Sequence, residues 1–454
     1  MRMPDLLASR NGRLAAFFFL YLTEGIPLGF TAVAIATQMR RQGVSPAAIG
    51  AFVGSLYLPW AFKWAIGPFV DVLSSDRWGR RRMWIVIAQV MMVAALLVAL
   101  PVHFDTQIRL FTALILIHNV FAATQDVAID ALAVNVLKEE ERGLANGLMF
   151  AGAYLGQTIG GAGVLFLTPK LGFPPTYVFV AAWILSITLL VALPLREPKG
   201  PPRPASPDPP LATAAREIGT FALDAFRAFF GTRAAFVGLL FALLPAGAYA
   251  LGLALQSNLA VELGLNDTQV GWLNLWAAVI SALGCIAGGW LSDRFGRRRM
   301  LALFLVATAI PTAWLALEMQ RYGWIHVVPP QAASRALPPG ALVAAFWIAV
   351  LTYSVPQGLM YGTRTALFMD VTTPRVAATQ FTAYMAMLNL VIGYSASWQG
   401  WAVERWGYPK TLATDAALGL VSVALLPLMS GAKRARDAAA SAAPGAAIPE
   451  AIEP

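Results

Sequence analysis

Five charged residues stand inside long apolar stretches of this sequence: Glu24, Lys63, Asp126, Asp130 and Arg364. Placing a charge in hydrocarbon costs at least a few kcal/mol, so each needs a partner, a wet cavity or a function. Three acids against two bases leave one negative charge if all ionise. A buried carboxylate without a partner tends to take up a proton, which is the property a proton carrier needs. Asp126 and Asp130, four residues apart, share one helix face, and like charges at that spacing repel. The set predicts Glu24, Asp126 or Asp130 as the proton-coupling group, with Lys63 or Arg364 holding an anionic group of a solute. The alternative is permanent ion pairing among the same residues.

Polar residues on the same stretches extend the candidate cavity: Asn119, Thr124 and Gln125; Gln256 and Asn258; Tyr353, Gln357 and Tyr361; Gln380, Tyr384 and Asn389. Each has an alternative as an interhelical hydrogen bond worth about 1 kcal/mol. Metal and nucleophile chemistry finds no support. His103, His118 and His326 are dispersed, Cys285 is the single cysteine, and no phosphate loop or triad is visible. His118 reads as a satisfied core histidine. The expectation is a protein with no metal, no cofactor and no enzymatic activity.

The elements that must position these residues follow from composition. Of 454 residues, 58% are hydrophobic and 13% are charged, against roughly 25% charged in soluble domains. A crossing needs about 20 apolar residues, and windows of that size give twelve: 14–38, 47–73, 83–100, 108–137, 143–167, 177–193, 235–261, 270–291, 300–319, 341–369, 377–403 and 411–429. Helices are expected because hydrocarbon offers an unpaired backbone group no partner. The first stretch is too long for a cleaved signal, is interrupted by Glu24 and Pro27, and reads as a retained span.

The net charge of +9 and pI near 9.8 reflect topology. With the N-terminus inside, Arg and Lys in the inner segments outnumber those in the opposite loops by almost three to one. That bias sets both termini in the cytoplasm and argues against nucleic acid as a partner. The expected partners are a small-molecule substrate, protons and the lipid bilayer, with the monomer as the working unit.

A proline-rich connection divides the spans six and six. The expected units are a bundle over 1–195, a cytoplasmic linker over 196–232, a second bundle over 233–431 and a disordered tail over 432–454. Within the linker, Glu217 to Phe230 reads either as an amphipathic helix on the membrane surface or as the start of the seventh span. The halves repeat at nearly constant spacing. Pro27-Leu-Gly29 matches Pro245-Ala-Gly247, Gly67-Pro-Phe-Val-Asp71 matches Gly289-Trp-Leu-Ser-Asp293, and Arg77-Trp-Gly-Arg-Arg-Arg-Met83 matches Arg294-Phe-Gly-Arg-Arg-Arg-Met300. Repeated six-helix halves with a midplane site, and broken helices in matching positions, belong to transporters. The fold class is therefore an all-α membrane protein of twelve helices in two six-helix repeats.

Gly289-Trp-Leu-Ser-Asp-Arg-Phe-Gly-Arg-Arg298 resembles the signature of the major facilitator superfamily. Thr124-Gln-Asp-Val-Ala-Ile-Asp130, Glu141-Arg-Gly-Leu-Ala-Asn-Gly147, Tyr21-Leu-Thr-Glu-Gly-Ile-Pro-Leu-Gly29 and Lys63-Trp-Ala-Ile-Gly-Pro-Phe-Val-Asp71 are similar to its peptide/acetyl-coenzyme A transporter branch. The resemblance implies proton-driven uptake of a bulky anionic solute across the bacterial inner membrane by alternating access. Muropeptide-like glycopeptide leads, with ferric siderophores and acetyl-CoA as alternatives. The compact twelve-span form is closer to the siderophore-importing relatives. The resemblance also implies that Gly289, Asp71 and Asp293, with Arg77, Arg294 and Arg297, form a cytoplasmic gate. Gly152-Ala-Tyr-Leu-Gly-Gln-Thr-Ile-Gly-Gly161 resembles the antiporter motif of drug exporters but has Gln157 in place of its proline, which favours import. A non-transporting receptor is the rival from another class, and it lacks a sizeable extramembrane domain.

Overall fold

The computed structural model describes residues 5–429 except 74, 76, 199–208, 333–336 and 372–376. The expected tail at 432–454 and the middle of the proline run lie outside the described residues. Among the described residues the chain forms helices and no strand. Nine helical segments are long and apolar enough to cross a bilayer outright: Arg10–Arg41, Arg80–Ala99, Ile108–Val136, Leu144–Leu171, Pro174–Ala192, Asp267–Phe295, Arg297–Arg321, Gly340–Val371 and Tyr408–Met429. The second span is the bent pair Pro46–Ala61 and Lys63–Val72, turned by 46° at Phe62. The seventh is Arg233–Ala242 followed by Ala254–Glu262, and the eleventh is Ala377–Trp406. That completes twelve.

The two proline-glycine segments expected to break equivalent helices behave differently. Pro27 sits within a continuous first span, which widens into a π-helical turn at Phe30–Ile35 and runs on to Arg41. The seventh span does break. Gly247 takes φ of +80°, which glycine adopts without steric cost, and regular helix resumes at Ala254. The matching expectation for the first span is therefore corrected: its helix runs on through Pro27 to Arg41.

The first span packs backbone on backbone. A Cβ at Gly25 would lie 2.0 Å from the Ala153 carbonyl oxygen, and one at Gly160 would lie 1.9 Å from that of Ile26. Small residues four apart thus let the first and fifth spans touch along their length. The second span meets the eleventh in the same way: a Cβ at Gly54 would lie 2.5 Å from the Gly393 carbonyl oxygen. Phe166 on the fifth span meets Trp272 on the eighth at 5.2 Å between ring centres. Those two pairs of spans join the first six helices to the last six.

Between the halves, Pro210–Phe230 forms a separate helix at 112° to Arg233–Ala242, not the start of the seventh span. Phe221 stacks on Trp64 of the second span at 5.4 Å, and Phe229 packs on Tyr384 of the eleventh at 5.1 Å. One amphipathic helix thus touches both halves.

The glycine seam gives a direct test. Gly160→Val should destabilise the protein by about 1–3 kcal/mol, as overpacking does. Gly147→Ala, whose Cβ meets nothing within 4 Å, should leave the unfolding midpoint unchanged or raise it slightly, since alanine favours the helix over glycine. Thermal unfolding of the purified protein in detergent reads both.

Candidate functional site

In the first half, three spans bring the expected charges together. The bend at Phe62 starts a new helix at Lys63 and aims its side chain at the fourth span. There Lys63 Nζ lies 2.9 Å from Asp126 Oδ2, with Asp126 almost wholly buried and the lysine side chain 22% exposed. One turn further along the fourth span, Asp130 accepts a short hydrogen bond from the Tyr21 hydroxyl. Glu24, one turn from Tyr21 on the first span, stands within electrostatic range of Asp126, Lys63 and Asp130. Its Oε2 is buried without a hydrogen-bond partner.

In the second half, the broken seventh span supplies the scaffold. Its freed amides must find partners. Tyr249 and Ala250 N–H donate to Asp415 Oδ2 at 2.8 and 2.9 Å. Gln399 Nε2 donates to Asp415 Oδ1 at 2.7 Å. The Tyr353 hydroxyl donates to the Ala248 carbonyl at 2.8 Å, and the Thr308 hydroxyl accepts from Ala248 N–H at 3.0 Å. Held this way, the Tyr249 hydroxyl accepts from Arg364 Nη1 at 2.9 Å. Arg364 is 2% exposed and lies 5.3 Å from the Tyr361 ring centre. Its Nε has no partner.

Tyrosines line the space between the clusters. Tyr57 of the second span lies within electrostatic range of Tyr249 and Tyr361. Tyr154 of the fifth is within range of Tyr361 and Arg364, and Tyr361 of Glu24. Tyr361 thus lies within electrostatic range of both Glu24 of the first half and Arg364 of the second. Tyrosine suits such a wall because it offers an apolar ring and a polar tip.

Charge also distinguishes the two ends of the molecule. At the face opposite the described chain ends, Arg40 of the first span donates to Glu262 of the seventh through Nη2 at 2.5 Å and Nε at 3.0 Å. The two side chains are 2% and 0% exposed. The Tyr408 hydroxyl and Val328 N–H also donate to Glu262, at 2.6 and 3.1 Å. Arg41 Nε lies 2.5 Å from Asp267 Oδ1, and Gln38 donates to Asp267 Oδ2 at 3.0 Å. These contacts lock one half to the other. At the face carrying the described chain ends, ion pairs among the described residues stay within a half: Arg81 with Asp71, Arg13 with Glu141, and Arg297 with Asp293 and Asp370. The conformation is sealed at one end.

The remaining sequence-selected residues divide. Asn119 donates to the Leu56 carbonyl at 3.0 Å. Gln125 accepts from Thr23, which in turn accepts from Gln89. Gln380 donates to the Tyr384 hydroxyl one turn along the same helix, and that hydroxyl donates to the Ala235 carbonyl of the seventh span. These amides tie helices of one half together. Gln357, Asn389 and Thr124 stand on their expected spans. Gln256 is nearly buried, and Asn258 is fully buried with neither amide atom partnered. His118 Nδ1 lies 2.8 Å from the Met92 carbonyl, in the core. Arg77 is exposed, and Arg294 lies over Trp290 and Phe295. Gly288 makes the close helix contact, 2.2 Å from a built Cβ to the Leu359 oxygen, while Gly289 meets nothing. Sequence reasoning missed Asp415, although it stands inside an apolar stretch and the rule that selected Glu24 selects it too. It also missed Tyr249, Tyr21 and the Arg40–Glu262 lock, whose residues sit at helix ends where charge is ordinary.

Two six-helix halves facing a polar centre, sealed at one end, are the architecture of a secondary transporter. Residues 14–396 and 237–450 match the family model of the Major Facilitator Superfamily, and the chain belongs to that superfamily; it is a transporter, not an enzyme. It is 24% identical over 421 residues to an anhydromuropeptide permease of Escherichia coli (strain K12), covering 91% of this chain and 79% of the relative. A POT family transporter in complex with a thioalcohol-conjugated peptide superposes with a TM-score of 0.69 at 10% identity, covering 92% and 96% of the two chains. A D-xylose–proton symporter superposes with a TM-score of 0.66 at 14% identity, covering 91% and 96%. Both solved structures share the fold.

The lock predicts a shift in conformational balance. Glu262→Gln strands a buried guanidinium, a change that costs about 3–5 kcal/mol when nothing relaxes. Opening that face relieves the cost. A cysteine at Gln256, in a Cys285→Ser background, should therefore react several-fold faster with an impermeant maleimide applied from that face in Glu262→Gln.

Proposed function

We propose that this chain is a proton-coupled importer of a bulky anionic solute of the muropeptide type, working as a monomer by alternating access. The reading sets it in the bacterial inner membrane with both termini cytoplasmic, as the arginine-rich inner segments favour. Residues 1–195 and 233–431 act as the two moving bundles, joined by the linker at 196–232. The observation that carries the reading is the buried Glu24 oxygen without a hydrogen-bond partner, in the same half as the Lys63–Asp126 pair.

In this mechanism, a proton enters the acidic cluster and neutralises one of the carboxyl groups that Lys63 leaves unbalanced. The solute's carboxylate meets Arg364, whose Nε has a free donor. With both charges satisfied, the centre tolerates closure, and the Arg40–Glu262 lock exchanges for its counterpart at the other face. Asp71, Arg77, Asp293, Arg294 and Arg297, which stand at that face with Gly289 nearby, supply the counterpart. Release of the solute and the proton to the cytoplasm resets the cycle. The 24% identity to an anhydromuropeptide permease favours a glycopeptide over a ferric siderophore or acetyl-CoA.

Proteoliposomes test the reading. Under an imposed pH gradient the wild type should accumulate labelled anhydromuropeptide. Glu24→Gln should lose gradient-driven accumulation by at least tenfold while keeping solute counterflow. Arg364→Gln should lose both. If neutralising Glu24, Asp126 and Asp130 one at a time leaves accumulation intact, proton coupling through this cluster is wrong.

A further inference from the structure

The outer part of the seventh span, Ala254–Glu262, is buried at every one of its 9 residues. It packs against Ala36–Arg41 of the first span and Pro46–Leu56 of the second, across the line between the halves, and against the eleventh span of its own half. A helix enclosed on all sides is ordinarily apolar all round. This one instead carries Gln256, Ser257, Asn258 and Glu262, none more than 8% exposed. It is a polar plug in the sealed end of the molecule.

Asn258 and Glu262 stand four residues apart on one helix face, and burial treats them in opposite ways. Glu262 accepts from Arg40 Nε and Nη2, from the Tyr408 hydroxyl and from Val328 N–H. Asn258, one turn nearer the centre, is fully buried. Neither its Nδ2 nor its Oδ1 has a hydrogen-bond partner among the described residues. A carboxamide brings two donors and an acceptor. Each group buried unbonded has given up water and gained nothing in exchange, so it opposes the state that buries it. Packing alone does not call for that opposition. Leucine has the same branched set of four side-chain atoms and no polar group to strand.

We propose that Asn258 is a release element of this seal. Its amide stands unbonded while the face is closed and takes up water when the halves part, which offsets part of the hold of Arg40 on Glu262. The placement serves that role, because both residues ride on one short helix and leave the interface together. The bonds on Glu262 set how firmly the face closes, and the bare amide one turn inward keeps the closure reversible. A transporter has to open and close each face in every cycle, and a seal made only of satisfied groups would hold it in one state. The role belongs to the seal itself and depends on neither the identity of the solute nor proton coupling.

Proteoliposomes carrying Gln256→Cys in the Cys285→Ser background, labelled with impermeant maleimide from the sealed face, test this. Asn258→Leu and Asn258→Val differ in size but both remove the amide. Each should slow labelling by about fivefold or more, the reverse of Glu262→Gln, and either one combined with Glu262→Gln should bring the rate back toward that of the parent. Both detergent-purified variants should unfold thermally at a midpoint no lower than the parent's, a result that misfolding does not produce. The proposal fails if neither variant slows labelling. It fails equally if both lower the midpoint, since the amide would then be contributing bonds to the closed state.

Discussion

Everything in this molecule turns on the cost of keeping charge out of water. A bilayer gives a carboxylate or guanidinium no solvation, so each ion must meet a counter-ion, a hydrogen-bond donor or an aqueous space. Lys63 meets Asp126, Asp415 meets two backbone amides and Gln399, and Arg40 meets Glu262. Glu24 keeps an oxygen with no partner. The exceptions are informative because the rule is so strict. A paired ion fixes structure, whereas an unpaired one at the interface of two moving bundles is free to exchange its proton or accept a ligand.

The two halves use this currency differently. The first half keeps its opening span continuous against glycines of the fifth span, and gathers its acids on the first and fourth spans. The second half breaks its opening span and spends Asp415, Thr308 and Tyr353 on the released backbone. That expenditure delivers Tyr249 to Arg364. One bundle therefore places a buried acidic cluster on continuous helices, and the other places a buried guanidinium beside an irregular segment. A common ancestor sequence remains visible in both, but repetition governs the outer loops more faithfully than the centre.

Much of the fold was legible because hydrocarbon permits so little else. Twelve apolar stretches, a proline-rich divide and repeated Gly-Arg-Arg-Arg turns lead to the observed helices with shifts of a few residues. The charges at 24, 63, 126, 130 and 364 stood out because each contradicts its surroundings. Less legible were features whose chemistry is ordinary at the level of single residues. Proline and glycine occur in both the first and seventh spans, yet whether a helix bends or breaks depends on the neighbour pressed against it. Arg40 and Glu262 sit at helix ends, where charge is expected, and their pairing needs the spatial approach of two segments far apart in sequence. Asn119, Gln125 and Gln380 were ambiguous in kind, since an amide that ties helices looks the same as one that faces a solute.

The central claim is that solute and proton cross together through the space between Glu24 and Arg364. Its most direct measurement is proton movement driven by solute alone. Proteoliposomes holding a pH-sensitive dye, clamped at zero membrane potential and equal starting pH, receive an inward gradient of anhydromuropeptide. The account predicts that the interior acidifies as the solute enters, and that Glu24→Gln abolishes acidification. Solute entry into wild-type vesicles with no change in internal pH would contradict it.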